Sequence, residues 1–185
     1  MRRGFKTQAE TEAETTRQRL GLRRTDRLPA RGLLADVGAI VTTPSSIPSL
    51  SAEDIDQLTV SDSGSWSAIT VRFDGTPIVI VNDSHSPERQ ESSLHHEAAH
   101  LLCGHEPSKI VRVGGLTLRE YDDETEKEAS WMGGCLHMPR CAILSALRRG
   151  ADDAGLGRFF VASADMVRYR RSVTGVDRQL RPRSR

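Results

Sequence analysis

An α+β domain is what this 185-residue chain predicts: a small, three-stranded sheet packed beside a helix carrying an HExxH motif, a glutamate-bearing helix and further C-terminal helices. Three observations carry the expectation. Two β-rich runs, Trp66 to Phe73 and Pro77 to Val81, flank the turn signal Asp74-Gly75. The stretch Leu94 to His105, LHHEAAHLLCGH, sets Leu94, Ala98, Leu101 and Leu102 at helical spacing. From Asp122 an acidic first turn opens a second helical run that ends at Pro139.

With 37% hydrophobic residues, the chain can bury one core, and one principal domain is expected. No apolar run approaches the roughly 20 residues that cross a bilayer, and the first twenty residues contain no apolar signal segment. A cytoplasmic protein without membrane contact is therefore expected. Cys103, Cys135 and Cys141 form no CxxC pair and leave one thiol over, which argues for reduced, buried thiols. The net charge of +1 gives the whole molecule no strong electrostatic instruction, but its ends are basic.

Residues 1–31 are rich in charge and poor in large apolar side chains, with a helix from Thr7 to Leu20 followed by Arg23, Arg24, Arg27 and Arg31. They read as a mobile or loosely docked arm. Leu28 to Val37 gives a short helix with Pro29 suited to its first turn, and Ala39 to Thr43 a strand stopped by Pro44. Residues 45–65, dense in Ser, Asp, Gly and Pro, are a surface connection holding one short helical or extended piece. The run Pro77 to Val81 is nearly all apolar and predicts a strand buried on both faces. Ser86 as N-cap and Pro87 at the first position start the motif helix, and Gly104 ends it. Glu106 to Tyr121 is a connection with a short strand at Ile110 to Val113. Amphipathic helices follow at Cys141 to Arg149, Asp152 to Phe160 and Ser163 to Val173. Residues 176–185 form a basic tail, and the basic ends offer nucleic acid or an acidic partner a salt-sensitive contact, against the simpler reading of solvated charge.

Within the first motif helix, His96-Glu97-Ala98-Ala99-His100 is HExxH. Residues four apart share one helical face, so both imidazoles reach a single Zn2+. Glu97 lies a quarter turn away, where its carboxylate can serve as general base toward a water at the metal. Gly104 and His105 each miss the HExxHxxGxxH register by one. A catalytic zinc takes a third protein ligand. Glu126 and Glu128 both fall at the edges of the second helix's apolar face, and periodicity does not choose between them; His105 and His137 are further alternatives.

The combination of HHEAAHLLCGH with the downstream ETEKEASWMGGCLHMP resembles the ImmA/IrrE family of zinc metallopeptidases, whose pattern is HExxH followed by E-x-E-A-N-x-F-A-A-E-L-L-M-P. The upstream PIVIVNDSHSPERQESSLHHE and the later FFVASADMVRYRRSVTG resemble the same family, so the similarity spans Gly32 to Gly175. Aligning Met138-Pro139 with the family's Met-Pro puts Glu126 on its third zinc ligand and Glu128 on the second glutamate. Ser130, Gly133, Gly134, Cys135 and His137 depart from the pattern. The resemblance implies a metallopeptidase-like domain over residues 32–175. It implies a gluzincin-type zinc endopeptidase with metal ligands His96, His100 and Glu126, catalytic Glu97, and a protein substrate, commonly a transcriptional repressor. The substrate would lie along a sheet edge, here assigned to Pro77 to Val81. The alternative is a non-proteolytic regulator whose zinc is closed off by Cys103, His105 or His137.

Overall fold

The computed structural model describes the backbone of residues 1–105, 109–113 and 116–180, and the side chains of residues 1–105 and 121–180. Helix α1 (Phe5–Arg19) and helix α2 (Ala30–Asp36) precede strand β1 (Ile40–Thr42). A 3-10 turn at Pro44–Ser46 and helix α3 (Ala52–Asp56) lead to β2 (Ala68–Phe73) and β3 (Thr76–Val81). Then come α4 (Pro87–Cys103), β4 (Lys109–Val113), β5 (Leu116–Glu120) and α5 (Asp123–His137). Helices α6 (Arg140–Arg148), α7 (Asp153–Phe160), α8 (Ala164–Thr174) and α9 (Val176–Leu180) close the described chain.

The three anticipated strands are present, with β1 parallel and β2 antiparallel to β3. The sheet is nevertheless larger than three strands, because the hairpin β4–β5 extends it to the order β1-β3-β2-β5-β4. Strand β4 covers the short strand expected at Ile110 to Val113, whereas β5 was not anticipated. Asp74 and Gly75 both have positive φ, at 47° and 82°, the conformation a two-residue hairpin turn demands. Strand β3 is less enclosed than its sequence suggested: Val79 and Val81 are buried toward the helices, whereas Ile78 and Ile80 are only half-buried. One face of the sheet thus carries the core.

The core lies between that face and α4, α5, α1 and α2, with Leu33, Leu34, Val79, Val81, Leu94, Ala98, Met132 and Leu136 at its centre. A second cluster, built on Met138, Ile143, Leu156, Phe160 and Val167, joins α6 to α9. Helices α4 and α5 come together closely because Gly133 presents no side chain: a Cβ there would lie 3.1 Å from His95 O and His96 Cα. Of the glycine pair that departs from the family pattern, Gly133 therefore sets the distance between the two helices that carry the site, while Gly134 makes room for the Arg170 side chain.

The N-terminal segment is docked, which corrects the reading of residues 1–31 as a mobile or loosely held arm. Phe5, Ala9, Ala13 and Arg17 recur every four residues and are all buried. Alanines supply little hydrophobicity to a sequence profile, yet they let α1 pack against α5. Arg17, fully buried, donates to Asp26 O, Ala13 O and Leu136 O, and burial brings its pKa down to about 10. Arg170 of α8 donates to Met138 O at 3.0 Å and to Glu10 Oε1 at 2.7 Å, while Glu10 Oε2 accepts from the Arg140 amide. Two buried guanidinium groups thereby satisfy carbonyls at the C-terminal end of α5. Glu10→Ala leaves Arg170 buried beside no carboxylate, and the expected cost is about 3–5 kcal/mol. A melting curve that matches wild type would contradict this account of α1.

The basic tail also needs correction at its start: Val176 is fully buried in the second cluster, and Asp177 pairs with Arg171. Residues 181–185 lie outside the described residues. The arginines of α8 are engaged internally, Arg168 with Asp165, Arg170 with Glu10, and Arg171 with Asp153 and Asp177. No helix among the described residues is long and apolar enough to cross a membrane.

Candidate active site

The site forms where α4 and α5 pass beneath the start of β2. Ser86 Oγ accepts the Arg89 amide, Pro87 occupies the first turn, and Gly104 ends α4 in the left-handed conformation. The entry into α4 is fixed by Asn82, fully buried at the end of β3. Its amide nitrogen donates to Ser63 O, and its Oδ1 accepts the Ser84 amide and hydroxyl. Arg89 then reaches Ser67 Oγ, tying the helix to the cleft rim. Helix α5 begins with Asp122 accepting the amides of Glu124 and Thr125.

These elements bring His96, His100 and Glu126 together. His96 Nε2 lies 3.1 Å from His100 Nε2 and 3.1 Å from Glu126 Oε2, and His100 Nε2 lies 3.3 Å from Glu126 Oε1. One ligand atom from each residue falls within 4.8 Å of the others. Donors held about 2.0–2.2 Å from a tetrahedral ion are separated by about 3.3–3.6 Å; the nearest approaches of these three residues, with a different Glu126 oxygen toward each histidine, lie near that range. Burial and the His96 imidazole bring the His100 pKa down to about 4, which keeps a lone pair free for a metal. Hydrogen bonding to His96 holds the Glu126 carboxyl below its ordinary range. The donor set fits a borderline divalent ion with one position left open.

Glu97 points to the other side of the cleft, where its Oε2 accepts from Thr70 Oγ1 of β2 at 2.5 Å. Burial raises its pKa above the usual carboxylate range, against the opposing influence of Thr70 and His96. Thr70 was not singled out in the sequence; its place directly opposite the motif helix depends on sheet register, which local pattern does not reveal. A cleft of about 460 Å³ joins these groups, lined by Thr70, His96, Glu97, His100, Tyr121 and Glu126, with Ser67 to Ile69, Ser92 and Ser93 at its rim.

The remaining candidates are placed elsewhere. Glu128 binds Arg2 and is not among the residues whose donor atoms come together, whereas Glu126 is. His137 is buried, places Nε2 2.9 Å from Phe160 O and stacks on His95, away from the cleft. Among the described residues, Cys103, His105 and His137 do not join the metal-competent group. His95 sits in the core with its ring nitrogens facing Glu91 O and Leu28 O. Tyr121 stacks on His100 at a centroid distance of 3.9 Å.

A helix bearing two histidines, a glutamate from a crossing helix and an open cleft define the metallopeptidase type of site. The chain belongs to the family described as IrrE N-terminal-like domain (Peptidase_M78), whose model matches residues 49–172, more than half of the sequence. No curated protein and no solved structure matches the chain.

Proposed function

We propose that this protein is a zinc-dependent endopeptidase in which His96, His100 and Glu126 hold the metal and Glu97 is the general base. The single observation that carries the proposal is the meeting of His96, His100 and Glu126, with nearest approaches of 3.1–3.3 Å, in the same cleft as a carboxylate that is not part of the group. Zinc held there would supply a Lewis acid that polarises the scissile carbonyl and acidifies water. Glu97 is held by Thr70 rather than by the donor triangle, so its carboxylate stays available to take a proton and return it to the leaving amine. Burial raises its pKa, the direction that favours a carboxylate acting as a proton acceptor.

The fold also supports an extended peptide as substrate, although the edge differs from the one expected. Strand β3 is paired on both sides, by β1 and β2, so Pro77 to Val81 offers no free edge. The first half of β2 does: β5 pairs with it only at Val71 and Arg72, and Ser67 to Thr70 line the cleft. Among the described residues no strand occupies that side of Ala68 to Thr70. A substrate main chain pairing there would pass over the donor triangle. The family membership supports a protein substrate, and a transcriptional repressor is the class we propose. A zinc-loaded cleavage assay on a susceptible peptide tests the mode: N-methylation of one backbone amide next to the scissile bond should abolish turnover when that amide pairs with β2. Full turnover of every N-methylated variant would contradict edge pairing.

A further inference from the structure

We infer that His105 and Glu128 form a positioning chain that fixes the tautomer of His100 for metal binding, with Arg2 as its outer anchor; the inference rests on the metal site proposed above. His105 follows the glycine that ends α4, and its amide hydrogen-bonds to His100 O, which folds the residue back against the helix. Its Nδ1 lies 3.2 Å from Nδ1 of His100, on the edge of that ring opposite the donor triangle. The other nitrogen, His105 Nε2, is buried and has no hydrogen-bond partner among the described residues; Glu128 Oε2 lies 3.8 Å away. The Glu128 carboxylate is in turn held by Arg2, whose amide donates to Oε1 at 2.8 Å and whose Nη2 lies 2.8 Å from Oε2.

Two imidazoles that meet through Nδ1 can share one hydrogen in either direction, and only one direction is compatible with a metal. If His105 donates, neutral His100 carries its hydrogen on Nε2, the atom that must be a bare lone pair toward the ion. If His100 donates, its Nε2 is free and His105 must carry its own hydrogen on Nε2. That hydrogen then faces the Glu128 carboxylate, and the otherwise orphaned nitrogen finds its counter-group. The carboxylate therefore selects the arrangement in which His100 is ready to ligate, acting through an intervening histidine rather than directly. It also assigns separate tasks to the two glutamates of the ExEA segment: Glu126 faces the metal, and Glu128 sets the polarity of the histidine pair. Tyr121, stacked on His100, restricts the same ring from its face.

Zinc affinity measured by chelator competition on the full chain, together with nitrogen NMR of the zinc-loaded wild type, tests the chain. His105→Phe should weaken zinc binding about 10- to 100-fold. His105→Gln, whose side-chain carbonyl can accept the His100 Nδ1 hydrogen, should recover most of the affinity, and Glu128→Gln should lie between. His105 in zinc-loaded wild type should be the neutral Nε2–H tautomer. Equal affinity of His105→Phe and wild type, no recovery in His105→Gln, or an Nδ1–H tautomer for His105 would each overturn the inference while leaving the donor triangle intact. Absence of zinc binding by wild type would overturn the metal site and the inference together. The NMR measurement needs no variant, so failure of a substituted protein to fold does not protect the idea.

Discussion

Glu97→Gln is expected to bind zinc as wild type does, to keep its melting temperature within a few degrees, and to lose cleavage by about a hundred- to ten-thousand-fold. Glu97 contacts Thr70 and is not a member of the donor triangle, so its replacement removes no ligand. Glutamine is nearly isosteric and its carbonyl oxygen can still accept from Thr70, which preserves the contact between α4 and β2. An amide nevertheless cannot act as a base toward water, so the proton transfer that carboxylate provides is lost. The variant should therefore separate metal loading from turnover. Metal analysis beside a peptide-cleavage time course checks both halves, and loss of zinc in Glu97→Gln would show that the carboxylate has been assigned the wrong role.

His96→Ala, His100→Ala and Glu126→Ala should each lose stoichiometric zinc after dialysis, whereas Glu128→Ala should retain zinc with weaker affinity. Each of the first three deletes one of three residues whose nearest approaches are 3.1–3.3 Å, and two remaining donors do not make a zinc site. Glu128 is turned toward Arg2 and His105, so its loss leaves all three donors in place. Full zinc occupancy in Glu126→Ala with loss in Glu128→Ala would reverse the assignment of the two glutamates.

What could be read from the sequence follows the range of the interactions involved. Both site helices were legible because their signals are local: Ser86, Pro87 and Gly104 bound α4, and Asp122 caps α5. The pair His96 and His100 was legible for the same reason, since four-residue spacing on a helix is self-sufficient. Periodicity left the third position open between Glu126 and Glu128, at opposite edges of one helical face; the family resemblance pointed to Glu126, and the docking of α5 on α4 brings that residue beside the histidines. Thr70 and the free edge of β2 were hidden, since both depend on where a strand lies in the sheet. The docking of α1 was missed for a different reason. Its contact stripe consists of one phenylalanine, two alanines and a buried arginine, a pattern that hydrophobicity scores as solvated.

The proposed role of Glu97 as general base at the His96, His100, Glu126 site is tested most directly by intact-mass analysis of a repressor of the proposed substrate class, incubated with zinc-loaded wild type and with Glu97→Gln. The account predicts two fragments with wild type whose masses sum to that of the repressor plus one water, and an unchanged repressor with Glu97→Gln. An intact repressor in both reactions, together with full derepression of its reporter by Glu97→Gln, would contradict it.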